Sequence, residues 1–394
     1  MHVVFRQGFC LTVKITLPPK ITKPVASKNQ TVEVGALTQR QTYISIGIIG
    51  GLFFIFGFVS WVNAILIPYF KVACELNNFQ SYLVAFAFYI SYFVFSVPAS
   101  YLLKAVGFKK GMSVGFWVMA VGAFVFIPAA MGRTYEIFLL GLFLIGAGLA
   151  VLQTAANPYI TILGPKESAA QRISIMGILN KGAGILAPLV FAAVVLRVTD
   201  DAMISQLDTL DVATKDQYLD ELIGRVILPY TLVGISLVVL GVLVRLSPLP
   251  EINTEQETAE VAITNAHKTH IFQFPHLILG AVAIFLHVGT QVIAIDTIMS
   301  YAMSMGISML DAKVFPSYTL AGMIAGYIFG IITIPRFIQQ VNVLRAFTTM
   351  GLLFTFGILF LRGEVGLLGL DVDVSIWFVV LLGFANSLVW AGIW

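Results

Sequence analysis

The stretch QTAANPYITILGP, from Gln153 to Pro165, closes a long apolar run. Gln153 and Asn157 stand one helical turn apart on the same face, and Pro158 follows to loosen the helix. Two amides inside an apolar helix are costly unless something polar meets them. They can bond a neighbouring helix, or they can face a solute rich in hydroxyls. The rest of the chain bears on that choice.

The chain has 394 residues, 58% of them hydrophobic and 11% charged, which is not the composition of a soluble protein. Apolar stretches of about 20 residues recur, each long enough to cross a bilayer as a helix. They lie near 44–67, 80–103, 111–131, 136–160, 173–196, 225–246, 274–303, 313–335, 343–361 and 374–394. The expected fold class is therefore an all-α membrane protein with about ten spans. Cys10 and Cys74 cannot form a disulfide framework. No P-loop, metal-ligand cluster or Ser/His/Asp arrangement is visible, so neither an enzyme, nor a metal, nor a cofactor is implied. His267, His270 and His276 read as solvated loop residues. The cations form no basic patch interleaved with aromatics, which argues against a nucleic-acid partner.

Residues 1–43 read as a disordered tail rather than a signal peptide, since Arg6 and Gln7 interrupt the apolar part. The tail carries Arg6, Lys14, Lys20, Lys23, Lys28 and Arg40, and every second loop is again basic, with Lys104, Lys109 and Lys110, then Lys166 and Arg172, then Arg336 and Arg345. The loop after the fifth span is crowded instead with Asp200, Asp201, Asp208, Asp211, Asp216, Asp220 and Glu221. Positive loops stay inside, so the N-terminus is expected in the cytoplasm; the membrane itself is expected to be of the bacterial inner (plasma) membrane type.

A polar connection over 247–273 separates a half at 44–246 from a second half at 274–394. The halves are similar. SYLVAFAFYISYFVFSVPASYL begins at Ser81 and SYTLAGMIAGYIFGIITIPRFI at Ser317, with Tyr92 and Tyr327 near mid-helix and Pro98 and Pro335 near the end. FFIFGFVSWVNA, from Phe53, lies over IFLHVGTQVIAID, from Ile284, when Gly57 matches Gly289. Such parallel repeats place a binding site between the halves near mid-membrane.

QTAANPYITILGP, GLFFIFGFVSWVNAILIPYFK (Gly51–Lys71), NNFQSYLVAFAFYISYF (Asn77–Phe93), the GFKKG loop at Gly107 and ANSLVW at Ala385 together resemble the fucose and glucose/galactose permease branch of the major facilitator superfamily. The resemblance implies two pseudo-repeated six-helix halves, alternating access, and import of a glucose/galactose- or fucose-like monosaccharide coupled to a proton or sodium ion. On that pattern the last two spans are missing after Trp394, as in a truncated member or a fragment. The fucose branch carries two proton-linked carboxylates. Here Ala64 follows Asn63 where the first is expected, and Gln153 stands where the second is expected.

Asp296 matches Ala64 in the half-to-half register, and Lys181 lies deep in the fifth span. An ionisable residue within a span is a functional candidate, so these two are the expected ion-coupling pair: Asp296 as the ion-linked acid, against a helix-packing or mouth-facing acid, and Lys181 either bonding the sugar or placing its ammonium where a coupling cation would sit, against a structural partner for a carboxylate. The expected sugar ligands are the amides Asn63, Gln153, Asn157, Asn180, Gln291 and Asn386, with Trp390 as a stacking ring one turn from Asn386. Asn180 matches an amide that the fucose branch uses near its sugar. Trp390 also reads as an interface anchor, and Trp61 as a second ring beside an amide, Asn63. His287 shares a face with Gln291 and reads as a packing histidine. The alternative to a carrier is a transport-inactive homologue or a membrane sugar sensor.

Overall fold

A backbone in hydrocarbon must satisfy its own N–H and C=O groups, so the apolar runs fold as helices. The computed structural model describes residues 39–163, 169–249, 270–334 and 337–393. The first span is broken into α1 (Gln39–Trp61) and α2 (Asn63–Ala73). Then come α3 (Asn78–Val106), α4 (Phe108–Met131), α5 (Tyr135–Ile162) and α6 (Ala169–Val195). Two short helices, α7 (Asp200–Gln206) and α8 (Val212–Gly224), lead into α9 (Ile227–Leu246). The second group begins with another broken span, α10 (Pro275–Asp296) and α11 (Ile298–Ser304), followed by the one-turn α12 (Met309–Ala312), α13 (Phe315–Thr333) and α14 (Gln340–Phe360). A hairpin of β1 (Glu364–Leu367) and β2 (Leu370–Asp373) precedes α15 (Val374–Ile393).

Among the described residues nine helices are long and apolar enough to cross a membrane, and the apolar run Val374–Val389 adds a shorter one. That matches the expected count. The expected tail ends early, because α1 already begins at Gln39; residues 1–38 and most of the 247–273 connection, together with Pro335, lie outside the described residues.

Small residues let the helices approach. α4 and α5 meet at Gly115 and Gly148, where a Cβ on Gly148 would stand 2.4 Å from the Gly115 carbonyl oxygen, a distance no side chain tolerates. α4 also packs on α9, α3 on α5, and α1 on α6, while α13 and α14 pack on α15. The two groups are joined by α6 against α13 and by α2 against α10 and α11.

The acid-rich segment after the fifth span is not an open loop. The Asp211 side chain caps α8 by accepting from Thr214 N at 3.1 Å, and Arg225 pairs with buried Asp200 at 2.7 Å. Arg133 reaches Asp216 and Asp220, and Lys215 reaches Glu75. These pairs hold α8 over α2 and α4. The hairpin was also not foreseen. Its two-residue turn, Leu368-Gly369, has φ of 55° and 81°, the left-handed pair that matches strand twist. α7, α8 and the hairpin mark one end of the bundle, called here the hairpin end; the opposite end carries the 247–273 connection and is called the linker end.

Candidate functional site

The site is built where the two broken spans meet. Neither break has a proline or glycine at it: α1 stops at Trp61, Val62 intervenes, and Asn63 opens α2; α10 stops at Asp296, Thr297 intervenes, and α11 follows. Both breaks hold a polar side chain in the interior, with Asn63 0% and Asp296 1% exposed. From the hairpin side of the site Tyr89, on α3, donates to Asp296 Oδ2 at 3.0 Å. Asp296 Oδ1 has no hydrogen-bond partner. Asn63 lies beside the Tyr89 hydroxyl, yet neither atom of its amide completes a hydrogen bond. Buried polar atoms left open in this way are the usual mark of a ligand or water site.

About one and a half turns toward the linker end, Lys181 and Gln291 face each other across the groups. Lys181 Nζ donates to Gln291 Oε1 at 3.5 Å, a long bond, and lies 4.2 Å from the centre of the Trp61 ring. The latter is a cation–π distance. Trp61 is held from its rim: its Nε1 donates to Asn180 Oδ1 at 3.2 Å, and Asn180 Nδ2 donates to the Phe53 carbonyl at 3.2 Å. α1 and α6 come this close because of Gly57, where a Cβ would sit 1.9 Å from the Asn180 carbonyl oxygen. Trp61 then reaches out of its own half and packs with Ile295, Leu320, Met323 and Tyr327. Lys181 and Asp296 attract each other electrostatically but form no direct ion pair.

The other expected residues are placed unevenly. Gln153 is half-buried on α5 and donates to the Tyr92 hydroxyl at 3.4 Å, within the first half. Asn157 is half-buried one turn further along. Asn386, on α15, accepts from Thr290 at 3.4 Å, which brings α15 to α10 beside Gln291. The Trp390 side chain lies outside the described residues. Gln291 and His287 are both buried on one face of α10, as the spacing implied, and Gln291 Nε2 also approaches Met323 Sδ at 3.7 Å. Asn180 is engaged on both sides of its amide, so its contact is with Trp61 rather than with open space.

Three tyrosines escaped the sequence reading of the site. Tyr89, Tyr92 and Tyr327 stand among many lipid-facing aromatics, and nothing in their local spacing separates them. The signal available was the repeat, which already set Tyr92 beside Tyr327.

The hairpin side of this cluster is closed. Residues Asn63 to Phe70 are fully buried, as are Ile298, Met299 and Ala302. At the linker end the first turn of α1 and the start of α10 are exposed, with Leu279 at 67%.

The sequence profile of the Major Facilitator Superfamily matches residues 49–394. The chain belongs to that superfamily. It is 32% identical to the glucose/galactose transporter of Brucella abortus biovar 1 (strain 9-941), over 86% of this chain and 76% of that protein. It is 29% identical to the L-fucose-proton symporter of Escherichia coli (strain K12), over 87% of this chain and 79% of that protein. Among solved structures, the transporter FucP in its outward conformation superposes with a TM-score of 0.67 at 26% identity, covering 90% of this chain and 84% of that one. A D-xylose-proton symporter, at 13% identity, a TM-score of 0.53, and coverage of 90% of this chain and 81% of its own, shares the fold. This superfamily member is an integral membrane protein of the fucose and glucose/galactose permease branch, and its relatives are transporters rather than enzymes.

Proposed function

We propose that this chain is a secondary active carrier that imports a monosaccharide by alternating access, with the uphill movement coupled to a cation. The observation that carries the reading is the polar cluster at the seam: Lys181 with Gln291, and Tyr89 with Asp296, each pair joining the two groups of helices. A cluster of this kind is costly in a membrane interior unless a polar solute or ion uses it. The relatives' names, glucose/galactose transporter and L-fucose-proton symporter, support a sugar as the solute and a proton as the ion.

In this reading the halves 44–246 and 274–394 rock about the seam. The hairpin end faces outward, the linker end and the N-terminus face the cytoplasm of an inner membrane, and the packed arrangement of α2 on α10 and α11 is the outward-closed state. Gln153, Asn157, Gln291, Asn386 and Asn63 offer donors and acceptors to hydroxyls, with Trp61 as an apolar ring face; Trp390, four residues after Asn386 in sequence, is the second candidate ring. Asp296 is the ion-linked group, because amides at Asn63 and Gln153 cannot titrate. Protonation of Asp296 leaves Tyr89 hydrogen-bonded to a neutral group, weakening the charge-assisted link that helps close the outer side.

The test is uptake of radiolabelled hexoses into vesicles containing the full chain, under an imposed proton gradient, an imposed sodium gradient, or neither. Saturable accumulation driven by the proton gradient is expected. Sodium-driven accumulation alone replaces the ion. No saturable flux of any sugar under any gradient removes the reading.

A further inference from the structure

Lys181 carries more charge into the site than a neutral sugar needs. It is 7% exposed and its ammonium has three donors. One is spent on the long bond to Gln291, and the Trp61 ring takes a face of the charge without accepting a hydrogen bond of ordinary strength. Among the described residues no carboxylate touches it. The two titratable groups that sense it are His287, which can offer no negative charge, and Asp296. Asp296 is five residues beyond Gln291 along α10, which is about 7–8 Å of helical rise, and one of its oxygens is already engaged by Tyr89.

The balance of charge decides what can bind. With Asp296 ionised, the seam holds one positive and one negative group. Once Asp296 takes a coupling proton, the ammonium is the lone charge in a low-dielectric interior, and such a charge is expensive. A neutral hexose leaves that cost in place, since hydroxyls supply dipoles only. A sugar bearing a carboxylate removes it: proton on Asp296 and anion on Lys181 together leave the loaded site neutral. A carboxylate also supplies two strong acceptors where the ammonium has donors to spare.

We propose that the solute carried here is a sugar acid of the hexuronate class, and that Lys181 binds its carboxylate. This rests on the sugar-carrier reading and narrows it beyond the neutral sugars in the relatives' names. The pyranose hydroxyls remain for Gln291 and its neighbouring amides.

The experiment is counterflow in proteoliposomes of the full chain at neutral pH, comparing radiolabelled glucuronate and galacturonate with glucose, galactose and fucose. The uronates should half-saturate at a concentration lower by about tenfold or more, the scale of one charge-assisted contact. Lys181→Met should abolish the preference for uronates over neutral hexoses, whatever it does to exchange as a whole, while Lys181→Arg should keep the preference. If a neutral hexose saturates at the same or a lower concentration than the uronates, the proposal is overturned and the sugar-carrier reading survives. Equal losses for both solute classes in Lys181→Met, with Lys181→Arg behaving the same way, also overturn it. If neither class exchanges saturably, both readings fall. The wild-type comparison decides even where Lys181→Met does not fold.

Discussion

The two broken spans are the most instructive pair of regions in the molecule. Under the register that sets Gly57 on Gly289, the interruptions at Val62 and Thr297 fall within about one helical turn of each other. Both bury a polar residue at the seam, and both send a short helix, α2 or α11, to the hairpin end. The chemistry differs. The first break offers Asn63, a neutral amide with both polar atoms open. The second offers Asp296, a carboxylate bonded to Tyr89 of the opposite half. Duplication supplied the same geometry twice, while only one copy holds a group that can change its charge. On the proposed reading, ion linkage belongs to the second half and the first break is left to hydrogen bonding.

The largest expected effect comes from removing the charge itself. Asp296→Asn keeps shape and hydrogen-bonding capacity but cannot titrate. Gradient-driven accumulation of sugar should be abolished while counterflow persists. Accumulation at the level of the parent would mean that Asp296 only packs the helices, and the contrast between the two breaks would lose its functional content.

Next is the link between the halves. Tyr89→Phe deletes the donor to Asp296 Oδ2 and leaves a buried carboxylate without its bonded partner. A charge-assisted hydrogen bond of this kind is worth about 1.5–3 kcal/mol, so the outward-closed population should fall by about tenfold or more. Thiol labelling of a cysteine placed at Ala302, buried at the hairpin end, reads that population. Unchanged labelling in Tyr89→Phe would show that apolar packing of α2 on α11 closes the outer side without the tyrosine.

How much of this was readable beforehand differs between fold and site. Ten apolar runs gave the helices and, through the Gly57–Gly289 register, the equivalence of the first and seventh spans. The breaks themselves were hidden, because Trp61-Val62-Asn63 and Asp296-Thr297-Ile298 contain no proline or glycine, and each interruption is a single residue that keeps right-handed helical dihedrals. The acid-rich segment suggested a loop, since charge counts do not reveal that Arg225, Arg133 and Lys215 supply partners from elsewhere in the fold. Amides and charges within apolar spans stood out by their cost, so Asn63, Lys181 and Asp296 were visible. Trp61 was marked out by its amide neighbour Asn63, but Tyr89 was not separable from aromatic residues that merely face lipid, and the engagement of both sides of the Asn180 amide is a fact of three dimensions only.

That last point gives a third, smaller effect that sharpens the account of the first break. Asn180 touches Trp61 and the Phe53 carbonyl, so its influence on sugar should pass through the indole. Asn180→Ala and Trp61→Phe should each weaken sugar binding by about three- to tenfold, the loss of one ordinary hydrogen bond. The double variant should be little worse than either single one, since the two residues act as a unit. Additive losses, measured by equilibrium binding of the transported sugar, would assign Asn180 a separate contact with the solute.

The smallest effect separates what the first break does for binding from what it costs. Asn63 is wholly buried, its amide atoms are unbonded, and its side chain borders an apolar cavity of about 200 Å³ whose walls include Val59, Phe88 and Leu142. Leucine at this position fills part of that cavity with the extra volume and removes a buried amide whose atoms complete no hydrogen bond to the protein. Unsatisfied buried polar groups cost about 1–3 kcal/mol each, so the unliganded protein should become more stable, by about 1 kcal/mol after some strain from overpacking is subtracted. Sugar binding should weaken at the same time. Asp296 cannot show this behaviour, because replacing it by leucine strands Tyr89 and leaves the Lys181 charge without its nearest opposite. Thermal unfolding of Asn63→Leu with and without the transported sugar is the measurement. A rise in the unliganded midpoint together with a smaller sugar-induced shift assigns Asn63 to the ligand. A fall in the unliganded midpoint with an unchanged sugar-induced shift assigns it to the helix break alone, and the two breaks would then be alike in architecture with a single one concerned in transport.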